Sequence, residues 1–178
     1  AIQTDGVLAP SNLPLLYLAM VAIKALHEFG HAYACRRFGG EVHTMGVMLL
    51  IFTPVPYMDA TASWNFRSRW KRILVAAAGM IVEIFVAAIA IFIWANTGAG
   101  VVHSLAYNVV FIASVTTILF NANPLLRFDG YYILCDLLDM PNLHGRSAKL
   151  ARHWVERYAF GCRKSKSPTT SRREVAIL

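Results

Sequence analysis

Three long apolar runs, each closed by polar or basic residues, set out the chain. The first extends from Leu13 to about Cys35, the second from about Ile73 to Ala95 and the third from about Val101 to Phe120. Each approaches the ~20 residues a helix needs to cross the hydrocarbon core of a bilayer. A fourth apolar stretch, Met45 to Met58, is broken by Pro54 and Pro56. It is too short to span, and predicts a re-entrant or interfacial segment or a hydrophobic loop packed on the helices. Within it, Val47 to Thr53 is rich in residues that accept a strand. The third run offers Asn108, Ser114, Thr116 and Thr117 for interhelical hydrogen bonds. It stops at Asn121-Ala122-Asn123-Pro124, because the residue before a proline is biased out of helix. Further on, Leu150, Trp154 and Tyr158 recur every four residues beside Arg146, Lys149, Arg152 and Arg157. That pattern fits a helix lying on an anionic membrane face, or a solvated linker helix. The fold class expected is an all-α membrane protein. Its three-helix core occupies residues 1–140, with helices at about 13–35, 73–95 and 101–120. A basic juxtamembrane segment and linker follow at 141–178, flexible over 163–174. The chain begins at Ala1 and stops in EVAIL, which resembles the start of another apolar element; the sequence leaves open whether it is a fragment.

Composition agrees with that picture. Of the 178 residues 57% are hydrophobic, and the mean hydropathy is +0.48, above the ~45–50% apolar content of soluble domains. The excess of 17 basic over 10 acidic residues does not point to nucleic acid, because the basic residues flank the apolar runs. Arg36, Arg37, Arg67, Arg69, Lys71 and Arg72 fall between the first two runs, and the segment 96–103 has no lysine or arginine. By the positive-inside rule the N-terminus and 96–103 face away from the cytoplasm, and 36–72 and the basic C-terminal tail face it. Cys35, Cys135 and Cys162 form no CxxC pair, which argues against a disulfide scaffold or a cysteine-rich zinc site.

Candidate chemistry sits in the first run, where His27-Glu28-Phe29-Gly30-His31 fits HExxH. Residues four apart share one helix face, so both imidazoles can reach one ion. Glu28 lies about 100° round from His27, placed to touch a water on that ion. A catalytic zinc site uses three protein ligands, and Asp129, in NANPLLRFDGYY, arrives after the third run on the same side of the membrane. His27, His31 and Asp129 are thus the expected Zn²⁺ ligands. Asp59 is a rival carboxylate and His43 a rival imidazole. Gly130 is expected to let the backbone turn sharply beside the metal. Lys24 and Glu28, four apart, can pair, and Glu83 reads as an interhelical hydrogen-bonding group, protonated in hydrocarbon.

HEFGH in one apolar helix, followed by N-x-x-P-x-x-x-x-D-G in a later one, resembles the site-2 protease family of intramembrane zinc metalloproteases. RRFGGEVHTMGVMLL, PVPYMDA and NPLLRFDGYY resemble its bacterial "putative peptide zinc metalloprotease" branch. The likeness covers roughly residues 14–140. It implies that His27, His31 and Asp129 hold Zn²⁺ and that Glu28 is the catalytic glutamate. Asn121 and Pro124 match N-x-x-P, and Asn121 is implied to bind the oxyanion or the substrate backbone. The family's A-G-P-x-x-N stands here as Ala78-Gly79-Met80-Ile81-Val82-Glu83, with Met for Pro and Glu for Asn. The activity implied is peptide-bond hydrolysis in the bacterial inner membrane, on a membrane-associated polypeptide or an exported peptide. The bilayer and an export or membrane-fusion component are the implied partners. Two other classes compete: a non-proteolytic export subunit keeping the metal-binding fold, and a metal-transport bundle with polar residues along a path. Glu83 alone in the second run is a poor path.

Overall fold

The computed structural model describes residues 12–50 and 53–160; the N-terminal polar stretch, Ile51-Phe52 and the 163–174 linker lie outside them. Helix α1 spans Leu13–Arg37, α2 Arg69–Asn96 and α3 Val101–Val115, the last running on into a π-helical turn, Thr116–Asn121. All three are long and apolar enough to cross a membrane, counting α3 with its turn. Their outward faces carry large apolar side chains such as Leu18, Phe29, Phe85 and Phe92. In water that surface would be an aggregation hazard, whereas in a bilayer it is the lipid contact. The chain is an integral membrane protein.

Local chemistry explains the ends. Pro14 sits in the first turn of α1, where a missing N–H costs nothing. Arg36 and Arg37 occupy its last turn, favourable to the helix dipole. Gly39, at φ +87°, then takes the left-handed conformation that ends the helix. The three helices pack around Ile23, Ile112 and Ala113, and Asn12 and Asn108 exchange two side-chain hydrogen bonds of 2.9 Å beside that core.

The Met45–Met58 segment is a two-stranded antiparallel hairpin, β1 (Met45–Leu50) and β2 (Thr53–Met58), with Val47 opposite Pro56 and Leu49 opposite Pro54. The prolines, two apart, share one side of β2. A ladder running through them requires that side to be the outer one, because proline has no N–H to give. The hairpin leads through a short 3₁₀ turn, Thr61–Asn65, into α2.

After the π turn the chain is irregular to α4 (Asp129–Leu138). Contacts divide the chain into two compact units with the boundary between Leu134 and Cys135. In the second unit α5 (Leu143–Trp154) is capped by Asn142, whose side chain accepts from the Gly145 N–H at 3.2 Å. Leu150 is buried there while Trp154 and Tyr158 are exposed, so the apolar stripe expected on one face is not exposed along its whole length.

Candidate metal centre

Two helices supply the three converging side chains. On α1, His27 and His31 are buried and one turn apart, their Nε2 atoms 2.9 Å from each other. Asp129, in the first turn of α4, brings Oδ2 to 3.1 Å from His27 Nε2 and 3.4 Å from His31 Nε2. Two contacts hold that turn. A Cβ on Gly130 would stand 2.6 Å from the Ala122 carbonyl, so glycine permits a close backbone approach there. Tyr132 packs edge-on against Trp64 at 5.8 Å.

The outer nitrogens decide what the inner ones offer. His31 Nδ1 lies 2.7 Å from the Val75 carbonyl, which can only accept, so Nδ1 carries the proton and Nε2 a lone pair. His27 Nδ1 lies 3.1 Å from Glu83 Oε1, with the same consequence when Glu83 is ionised. Asp129 Oδ2 is buried without a hydrogen bond of normal geometry; the two ring nitrogens near it face it as fellow acceptors. Three acceptors converging within 3.4 Å repel one another unless a cation lies among them. Ligands ~2.0–2.1 Å from a tetrahedral zinc stand ~3.3 Å apart, so the donor set fits that ion.

Helix α2 closes the site with residues at four-residue spacing, Val75, Gly79 and Glu83, all buried. Val75 anchors His31, and a Cβ on Gly79 would stand 2.5 Å from His31 Nε2 and His27 Cε1. Glu83 is ion-paired with Lys24, Oε1 to Nζ at 2.8 Å. Lys24 therefore pairs across helices with Glu83, and the local Lys24–Glu28 pairing expected from the sequence gives way to it. Glu83 also accepts from the Thr117 hydroxyl and, at 3.0 Å, from Asn121 Nδ2. Every one of these partners donates, so the surroundings suit a carboxylate and not the protonated acid expected from burial alone.

Asn121 is buried at the end of the π turn, its amide nitrogen 3.4 Å from His27 Nδ1. The turn closes through a bond from the Ala122 N–H to the Thr117 carbonyl at 2.7 Å, five residues back, and so aims Thr117 and Asn121 at Glu83. Glu28 is half-buried on α1, within electrostatic reach of His31, His27, Asp129 and Lys24. The rivals stand elsewhere. His43 pairs with exposed Glu41 at 2.9 Å. Asp59 accepts from the Thr61 N–H at 2.9 Å, which holds its carboxyl below the usual range. Sequence reasoning misses the place of Gly79 against the two imidazoles, although that glycine lies four residues before the sole charge of the second apolar run.

A HExxH helix and an aspartate meeting inside a three-span bundle define a membrane-embedded metallopeptidase. Residues 15–108, more than half of the chain, match the model of Peptidase family M50, and the chain belongs to that family. Comparison with curated proteins and with solved structures returned no match. The family match includes His27, Glu28 and His31 and stops short of Asn121 and Asp129; for those two the geometry alone speaks.

Proposed function

We propose that the protein is a zinc endopeptidase of the bacterial cytoplasmic membrane, hydrolysing peptide bonds of membrane-associated polypeptides or exported peptides. The observation that carries this reading is the convergence of His27, His31 and Asp129 as three acceptors, with both outer imidazole nitrogens engaged elsewhere. A His₂-carboxylate set leaves a position open, as catalytic zinc requires. Zinc, when bound, supplies a Lewis acid that polarises the scissile carbonyl and makes water acidic enough to attack at neutral pH. Glu28 takes the proton of the attacking water and passes it to the leaving amine. Asn121 donates to Glu83 and stands 3.4 Å from His27 Nδ1; its role in this reading is to bind the oxyanion or the substrate backbone. The test is to purify the protein, count zinc by elemental analysis, and reconstitute it with membrane-anchored peptides. About one zinc per chain is expected, with cleavage lost on chelation and regained with zinc; cleavage untouched by chelation would sink the reading.

The hairpin is the proposed substrate guide. A peptide bond inside a helix is shielded, so a substrate must be extended to be cut, and an extended chain can add to a free strand edge. The prolines block the outer edge of β2, and β2 packs on α1. The outer edge of β1 remains, with Val47 and Leu49 well exposed. Opposite the prolines, Val47 and Leu49 turn their own N–H groups outward. Leu49→Pro should therefore cap that edge, lowering cleavage while zinc content stays at the wild-type value. Met48→Pro should instead break the ladder between β1 and β2. If Leu49→Pro cleaves as wild type does, the β1 edge does not receive substrate.

A further inference from the structure

We infer that Glu83 is a positioning residue for the metal: its carboxylate fixes the ring of His27 so that Nε2 faces the ion. This rests on the metal reading above. Glu83 is 1% exposed and receives four groups, two from α1 and two from the π turn that follows α3. Oε1 meets Lys24 Nζ at 2.8 Å and His27 Nδ1 at 3.1 Å. Oε2 accepts from Thr117 and from Asn121. An interhelical ion pair needs only Lys24; three further donors hold the carboxylate in one orientation, and that orientation points Oε1 at a ligand imidazole. A carboxylate accepting from the far nitrogen of a ligand histidine selects its tautomer and fixes its plane. The two histidines are thus supported unequally, His31 by a neutral backbone carbonyl and His27 by a charged group.

Lys24 completes the device. A divalent ion held by Asp129, with Glu83 one ring away, has both its charges balanced by carboxylates. The ammonium of Lys24 on Glu83 Oε1 returns a positive charge, so Glu83 can orient His27 without cancelling the charge that makes the ion a Lewis acid. Lys24 precedes His27 by three residues on the same helix, so one turn of α1 supplies the ligand and the countercharge of its support.

The experiment compares wild type, Glu83→Gln and Glu83→Leu as purified full chains. Zinc affinity is measured by competition with a chelator, and the ligand field is read from the visible spectrum of the cobalt(II)-loaded protein. Loss of an outer partner of a metal-bound histidine weakens metal binding ~10–100-fold. Glu83→Leu should fall in that range. Glu83→Gln retains an acceptor oxygen for Nδ1–H and should fall less, and both should shift the cobalt bands. Where Glu83→Leu does not fold, Glu83→Gln decides alone. A plain structural pair predicts lowered thermal stability with unchanged zinc affinity and an unchanged cobalt spectrum, and that result overturns the inference. A wild type that binds no zinc overturns the metal reading itself; a wild type that binds zinc beside unaffected Glu83 variants overturns only the role of Glu83.

Discussion

Gly79→Ala is expected to cost the protein its metal and its activity together. The added methyl would stand 2.5 Å from His27 Cε1 and His31 Nε2, and 2.6 Å from His27 Nε2, far inside contact distance. Neither ring can give way at little cost. His31 is tied through Nδ1 to the Val75 carbonyl at 2.7 Å, and His27 through Nδ1 to Glu83 at 3.1 Å. Both anchors lie on α2, the helix that carries the new methyl. A ring that turns aside takes its lone pair out of the cluster, and a helix that retreats loosens both anchors. Overpacking of this kind costs about 1–3 kcal/mol, which a folded bundle can survive. A displacement of ~1 Å among catalytic groups lowers rates by ~10²-fold, so activity should fall at least that far even if some zinc is kept. Gly98→Ala is the control, since a Cβ there meets nothing within 4 Å. Wild-type zinc content and cleavage in Gly79→Ala would show that α2 does not close over the histidines as described.

What the sequence reveals and what it hides divide along range. Spans are legible because few water-soluble folds can bury apolar runs of bilayer length, and the HExxH face because its geometry is local to one helix turn. Asp129 is legible by the proline break before it, which sets its depth. Pairings between helices are not. Lys24 has a candidate partner four residues away in Glu28 and takes another 59 residues away. That choice depends on where α1 and α2 cross. The crossing is set by Gly30, where a Cβ would stand 2.9 Å from the Ala78 carbonyl, and by Gly79. The sole charge of the second apolar run, Glu83, was the available signal, because it is costly unpaired in hydrocarbon. The π turn leaves no such trace. Thr116 to Phe120 reads as ordinary apolar helix, and only the closing bond from Ala122 to Thr117 shows the wider turn. The hairpin is half legible: β-accepting residues mark β1, while Pro54 and Pro56 hide β2 unless their shared parity is noticed.

Asp129→Ala and Glu28→Gln should separate metal binding from proton transfer. Asp129 supplies the carboxylate that meets both Nε2 atoms, at 3.1 and 3.4 Å. Its removal leaves two imidazoles, one ligand short of the usual catalytic zinc set. Zinc affinity and cleavage should then collapse in parallel, and added zinc should not restore a working site. Glu28 lies on the same turn of α1 as His27 but outside the group of three converging donor residues. Glutamine keeps its size and loses the base. Glu28→Gln should hold about one zinc per chain with cleavage down by roughly 10²-fold or more. Asp59→Ala is the matching control, its carboxylate being engaged by Thr61 in the loop after β2; it should keep its zinc. Because the family match ends before Asp129, the Asp129 variant tests the observed geometry by itself. Zinc bound as tightly in Asp129→Ala as in wild type, or lost in Asp59→Ala, would place the third ligand elsewhere. Full activity in Glu28→Gln would keep the metal centre and require another group to take the proton.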